Sequence, residues 1–128
     1  VDGSSQTILK GHTKAISALA VSKDSKKAAS GDRAGKILVW DWGAKNPSSK
    51  EIIAHQGGVD SLSFSPDSDQ LASAGRDDLV KTWSTSNSEN LQTFKGHKND
   101  VRGVVFAPDG KSIASAGLDG TVKIWEVK

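Results

Sequence analysis

The spacing of histidine and tryptophan constrains this chain more than any other feature. The histidines stand at 12, 55 and 97, and three of the four tryptophans stand at 40, 83 and 125. Both series advance by 43 and then 42 residues, and each Trp follows its His by 28. Two bulky residue types recurring in fixed register require a chain built from repeated supersecondary units. Small residues recur between them as Ala29-Ser30-Gly31, Ala72-Ser73-Ala74-Gly75 and Ala114-Ser115-Ala116-Gly117. Turn-forming residues recur as Lys23-Asp24-Ser25, Ser65-Pro66-Asp67-Ser68 and Ala107-Pro108-Asp109-Gly110.

Within a unit the apolar residues alternate as in strands. Leu62 and Phe64 alternate with Ser61 and Ser63, and Val122 and Ile124 flank Lys123. Segments of this kind, broken at short intervals by Gly, Asp, Asn or Ser, read as short antiparallel strands, and no segment sustains helical spacing. The expected class is all-β with four strands per unit. In the middle unit they fall near 51–54, 59–65, 70–75 and 79–84. The units run approximately 7–50, 51–92 and 93–128, each opening on an outer strand. In this phase the first outer strand lies near Thr7 to Lys10, and the last blade lacks an outer strand.

A repeat of this length with Gly-His early and Trp-Asp late resembles the WD-repeat β-propeller family over essentially the whole chain. The third unit carries the resemblance best: Gly96-His97, Val101, Val104, Phe106, Pro108-Asp109-Gly110, Ile113-Ala114-Ser115, Asp119-Gly120 and Val122-Lys123-Ile124-Trp125. Trp-Asp itself survives only as Trp40-Asp41, and is Trp83-Ser84 and Trp125-Glu126 elsewhere. The second unit has Ala54-His55 in place of Gly-His.

The resemblance implies a buried His–Ser–Asp–Trp chain in each blade. The sets are His55, Ser73, Asp77, Trp83 and His97, Ser115, Asp119, Trp125. An indole N–H taken from water needs an acceptor, and a serine hydroxyl can accept it while donating onward to an imidazole. The first blade supplies His12, Ser30 and Trp40, but Ala34 stands at the acidic position, with Asp32 two residues early. Its network is therefore expected to be incomplete. Ala34→Asp is then expected to stabilise the chain by roughly 1.5–3 kcal/mol.

The same residue types invite a hydrolase reading, which the repetition opposes. A nucleophile is a single activated group, whereas serine here recurs beside a Trp that needs an acceptor. Histidines at equivalent positions of successive blades are rotated about an axis and do not converge on a metal ion. No phosphate loop or His-Glu-x-x-His motif occurs, and Pro47 rules out glycosylation at Asn46. No catalytic residue, metal or cofactor is therefore expected. With no cysteines there is no disulfide framework, and no apolar run reaches a membrane span. A net charge of +2 argues against a whole-protein field for nucleic acid. Residues 1–50 carry +5, 51–92 carry −5 and 93–128 carry +2, so neighbouring blades could attract one another electrostatically.

The resemblance further implies that three positions per blade face a partner from the loops around the central channel. These are Ala15, Ser17 and Arg33, then Gly58, Asp60 and Arg76, then Asp100, Arg102 and Leu118. Trp42 lies outside the repeat register; it is expected to pack against an outer strand, with an exposed anchor for another chain as the alternative.

Propellers have four to eight blades, and this chain supplies three. It is expected to be part of a longer propeller. The alternative is an architectural piece that closes on its own copies, six blades as a dimer or nine as a trimer. The expected role is a non-enzymatic scaffold for proteins or peptides, with further blades from the same or another chain as partners. Membrane contact is not expected, nor is nucleic-acid binding. The expected setting is intracellular and cytoplasmic, with the nucleus open.

Overall fold

A computed structural model describes residues 7–42 and 47–128. Eleven strands form, and no helix occurs among the described residues. They are β1 (Ile16–Val21), β2 (Ala28–Asp32), β3 (Lys36–Asp41), β4 (Ser48–Ile53), β5 (Val59–Phe64), β6 (Gln70–Gly75), β7 (Leu79–Ser84), β8 (Asn90–Lys95), β9 (Val101–Phe106), β10 (Ser112–Gly117) and β11 (Val122–Glu126). Sequential antiparallel pairing gives sheets β1-β2-β3-β4 and β5-β6-β7-β8, and a three-stranded sheet β9-β10-β11. These are propeller blades, each a meander of short strands. Residues 7–10, expected as an outer strand, form none. The first sheet takes its outer strand from β4, and the free edge of β11 in the third sheet stays unpaired among the described residues.

The turns follow from local chemistry. The Ser22 hydroxyl donates to Asp24 Oδ1 (2.6 Å), which also accepts the Lys26 N–H (2.9 Å). Ser65 and Asp67 repeat this arrangement, with the Asp69 N–H at 3.0 Å. In all three blades the residue after the turn aspartate, Ser25, Ser68 or Gly110, has positive φ. A side-chain acceptor that satisfies the backbone locally stabilises such a turn.

The core lies between blades. One cluster joins Ala18, Ala29, Ile37, Val39 and Ile52 of the first blade to Val59, Leu62, Leu71 and Trp83 of the second. The other joins Ala72, Ala74 and Val80 to Val101, Val104, Phe106 and Ile113. Each interface sets a face of small residues against one of larger ones, so the blades approach closely. Gly31, in β2, faces Val59 so closely that a Cβ there would lie 2.6 Å from the valine side chain. Serine hydroxyls on the innermost strands cross the same seams. Ser17 Oγ donates to Val59 O (2.5 Å), and Ser61 and Ser63 accept the Val104 and Phe106 N–H groups at 3.1 and 3.0 Å.

The two end faces are not covered. Leu19 and Val21 are exposed on the first blade, and Val105, Val122 and Ile124 on the third. Trp42, just beyond β3, is 38% exposed, so it packs only in part and leaves a face open, between the two expectations. Its side chain falls past the end of the strand ladder, where the β3–β4 pairing no longer shelters it.

Candidate functional site

Each blade holds one hydrogen-bonded chain running from Trp to Asp. In the second blade Trp83 Nε1–H donates to Ser73 Oγ (2.8 Å), Ser73 lies 2.7 Å from His55 Nε2, and His55 Nδ1 lies 2.8 Å from Asp77. The third blade matches, with Trp125 to Ser115 at 2.8 Å, Ser115 to His97 at 2.7 Å and His97 to Asp119 at 3.0 Å. A carboxylate only accepts, so Nδ1 carries the proton and Nε2 of the neutral ring accepts from serine. Every member is then satisfied, which is the condition for burying such a network.

The first blade corrects the expectation of an incomplete network. Trp40 Nε1–H donates to Ser30 (3.0 Å), Ser30 lies 2.6 Å from His12, and His12 Nδ1 lies 2.8 Å from Asp32. Asp32 Oδ1 also accepts the N–H groups of Ala34 (2.9 Å) and Lys36 (3.0 Å). Ala34 itself is exposed. The physical reason is reach: Asp32 sits on β2, directly beside the imidazole, and needs no turn to bring its carboxylate across.

All three carboxyls are held below the ordinary value of 3.8. For Asp32 and Asp77 burial pushes upward, but hydrogen bonds from His12 or His55 and from backbone N–H groups outweigh it. For Asp119 the Lys98 N–H contributes most, followed by the Thr121 hydroxyl. Depressed carboxyls stabilise the folded state above about pH 4, and that contribution is lost as pH falls through the folded values. The thermal midpoint is therefore expected to fall between about pH 5 and pH 3. A midpoint that held or rose on acidification would contradict these assignments.

These serines offer no nucleophile, because Ser30, Ser73 and Ser115 are buried and each hydroxyl is engaged by both Trp and His. Among the described residues no group of three or more His, Cys, Asp and Glu is placed to hold a metal ion.

The loop rim is built alike in every blade. Arg33 N–H donates to Ala15 O (3.1 Å), Arg76 N–H to Gly58 O (3.1 Å) and Leu118 N–H to Asp100 O (2.8 Å). The innermost strands carry a register break on the same residue each time. Pairing skips from Ile16 to Ala18, from Val59 to Ser61 and from Val101 to Gly103, leaving Ser17, Asp60 and Arg102 unpaired. Such bulges turn a side chain away from the sheet. Ala15, Arg33, Arg76, Arg102 and Leu118 are exposed and Asp100 is half-buried, whereas the Asp60 side chain is only 8% exposed and the Ser17 hydroxyl is bonded into the seam, so these two do not face outward as expected. Gly58 departs from the partner-facing expectation because it is buried. Its φ of 134° brings it against Arg33, whose carbonyl oxygen would lie 3.3 Å from any Cβ.

The bulges were not foreseen from the sequence, and neither was the convergence of two arginines on one aspartate. Asp60 Oδ1 lies 3.5 Å from Arg76 Nε, and Oδ2 lies 3.6 Å from Arg102 Nε on the neighbouring blade. The signal was the opposite charge at equivalent positions of adjacent units.

Meander blades packed face to face, each carrying a Trp–Ser–His–Asp chain, define a β-propeller repeat protein. The family model for the WD domain, G-beta repeat, matches residues 3–41, 46–84 and 88–126, and the chain belongs to that family. It is 40% identical over 77 residues to "Histone-binding protein MSI1" of Saccharomyces cerevisiae, covering 59% of this chain and 18% of that protein. It is 33% identical over 88 residues to "WD repeat-containing protein 1" of Gallus gallus, covering 67% and 14%. The chain thus spans less than a fifth of either relative. Among solved structures, "Crystal structure of RRP9 WD40 repeats" superposes with a TM-score of 0.87 at 28% identity, covering 94% of this chain and 38% of that one. The chain accordingly represents part of a propeller.

Proposed function

We propose that the chain is a non-enzymatic protein-interaction scaffold whose partners engage the loop rim. The rim carries this reading: in each blade a turn residue is fixed by the same main-chain hydrogen bond beside a bulge, and Arg33, Arg76, Arg102 and Leu118 are exposed there. The engaged, buried serines favour a structural role for the Ser-His-Asp sets. A relative named as histone-binding supports a protein partner. That name, and that of "U3 snoRNP-associated protein-like YAOH", make a nuclear setting as reasonable as a cytoplasmic one.

A photo-crosslinking residue at Leu118 should yield protein adducts in a cell extract, whereas one at Lys111, at the opposite end of the third blade, should not. Replacing Arg76, Arg102 and Leu118 together by Ala should abolish capture; the denaturation midpoint falls, because the buried Asp60 carboxylate loses both of its cations, while the chain stays folded at the assay temperature. Equal capture by the parent and the triple variant would refute the loop-rim reading.

The exposed end faces favour a second reading, in which the blades dock on further blades. Leu19 on the first blade is in register with Leu62 and Val104, which are buried at the inter-blade seams. A head-to-tail contact would cover both ends. Native mass measurement tests self-association directly: a dimer or trimer supports it, and a monomer at micromolar concentration rejects it.

A further inference from the structure

We infer that Asp60, Arg76 and Arg102 form a preorganised receptor for a carboxylate side chain of an acidic protein segment. This deepens the loop-rim reading above and rests on it. Three observations converge. The Asp60 side chain is only 8% exposed, yet its Oδ2 has no hydrogen-bond partner. Its nearest cations approach through Nε at 3.5 and 3.6 Å, from two different blades. The guanidinium groups remain substantially open to solvent, and none of their terminal nitrogens is hydrogen-bonded among the described residues.

The bulges explain the arrangement. Asp60 and Arg102 are both unpaired residues of innermost strands, so their side chains leave the sheets at the same rim. One buried negative charge faces two positive ones, so the cluster retains a charge of +1, and the Arg76 and Arg102 side chains are 40% and 55% exposed. A planar fork drawn toward a buried carboxylate on its Nε side keeps its terminal nitrogens for a second carboxylate, with less ordering left to occur on binding. Leu118, also on the third-blade rim, is 54% exposed and offers an apolar contact beside the charge.

The surroundings favour a peptide over nucleic acid. Asp100 occupies the same rim, Asp60 lies beneath it, and none of the nine rim positions is aromatic, so a base has no platform on which to stack. Asp60 acts as a positioning residue, because it touches the arginines and not the partner.

The test uses a short fluorescein-labelled peptide of alternating Glu and Ala, titrated with the intact chain and followed by anisotropy. Binding should weaken with added salt and fall at least about tenfold when Glu is replaced by Gln. Arg76→Gln with Arg102→Gln should lose at least about tenfold. Arg76→Lys with Arg102→Lys keeps the charge, removes the fork and should also weaken binding. Should the Gln pair lower the melting midpoint, this Lys pair decides the question in its place. Asp60→Asn makes the rim more positive, yet should weaken binding because the forks are no longer held. A gain on Asp60→Asn would mean simple charge attraction and overturn the preorganised receptor. No peptide binding, or binding unchanged in the arginine variants, would also overturn the inference, as would tighter binding of a single-stranded oligonucleotide. If adducts still form at Leu118 while the peptide fails, the acidic specificity falls and the loop-rim reading stands. If both fail, the loop-rim reading falls with it.

Discussion

Asp32→Ala is expected to cost about 3 kcal/mol or more, since each buried donor left without its acceptor costs about 1–3 kcal/mol. The side chain is 1% exposed, and its oxygens accept from His12 Nδ1 and from the N–H groups of Ala34 and Lys36. Alanine would leave all three donors without this acceptor. The loss would also free the His12 ring, which orients Ser30 for the Trp40 indole. Ala34→Asp, by contrast, should shift stability by no more than about 0.5 kcal/mol, as is usual for an exposed position away from special features. Urea unfolding of both variants checks the pair of values. A stabilised Ala34→Asp chain beside a tolerant Asp32→Ala chain would reverse the assignment.

The acid of the first blade also marks the boundary of what the residues disclose. The repeat was visible because His, Ser and Trp hold identical spacings, with Trp ten residues after Ser in every unit. Strand positions in the middle unit were legible from alternation and turn residues; only the outer strand lay a few residues away, at Ser48–Ile53. Its exposed, polar composition carries little periodic signal. The role of Asp32 was hidden by matching residues on position alone. In register with Ser, Asp32 aligns with Gly75 and Gly117, not with Asp77 and Asp119. A Cβ at Gly75 would lie 2.3 Å from His55 Cγ, and one at Gly117 would lie 2.8 Å from His97 Nδ1. The later blades press the imidazole onto the strand and bring the acid from the turn. The first blade keeps a side chain on the strand and uses it as the acid. An aspartate where the other units have glycine was the available clue. The Asp60 cluster was less accessible, because it depends on a bulge in each of two strands that come together only when blades pack.

The same geometry makes the glycines around His55 the next most sensitive positions. Gly75→Ala is expected to cost about 3 kcal/mol, since overpacking a fixed site typically costs 1–3 kcal/mol and the ring's hydrogen bonds would be disturbed as well. The obstructing atoms are Cβ, Cγ and Nδ1 of a ring held at both nitrogens by Ser73 and Asp77, so it cannot swing aside without breaking them. Gly35→Ala should be at least as damaging. Its φ is +95°, and a Cβ there would lie 1.6 Å from the His55 carbonyl oxygen. That contact is with backbone, and the Gly35 carbonyl meanwhile accepts the Ala54 N–H at 2.9 Å and the His55 N–H at 3.2 Å. Moving the turn away from the added methyl would therefore break the tie between the first and second blades. The first-blade arrangement supplies a control. Gly75→Asp combined with Asp77→Ala transplants that geometry, and should recover part of the stability lost in Gly75→Ala if the imidazole can retreat to bond the new carboxylate. Denaturant midpoints of the three variants decide this. Wild-type stability in both alanine variants would show that His55 is not confined as described, whereas a double variant no better than Gly75→Ala would show that the two forms of the network are not interchangeable.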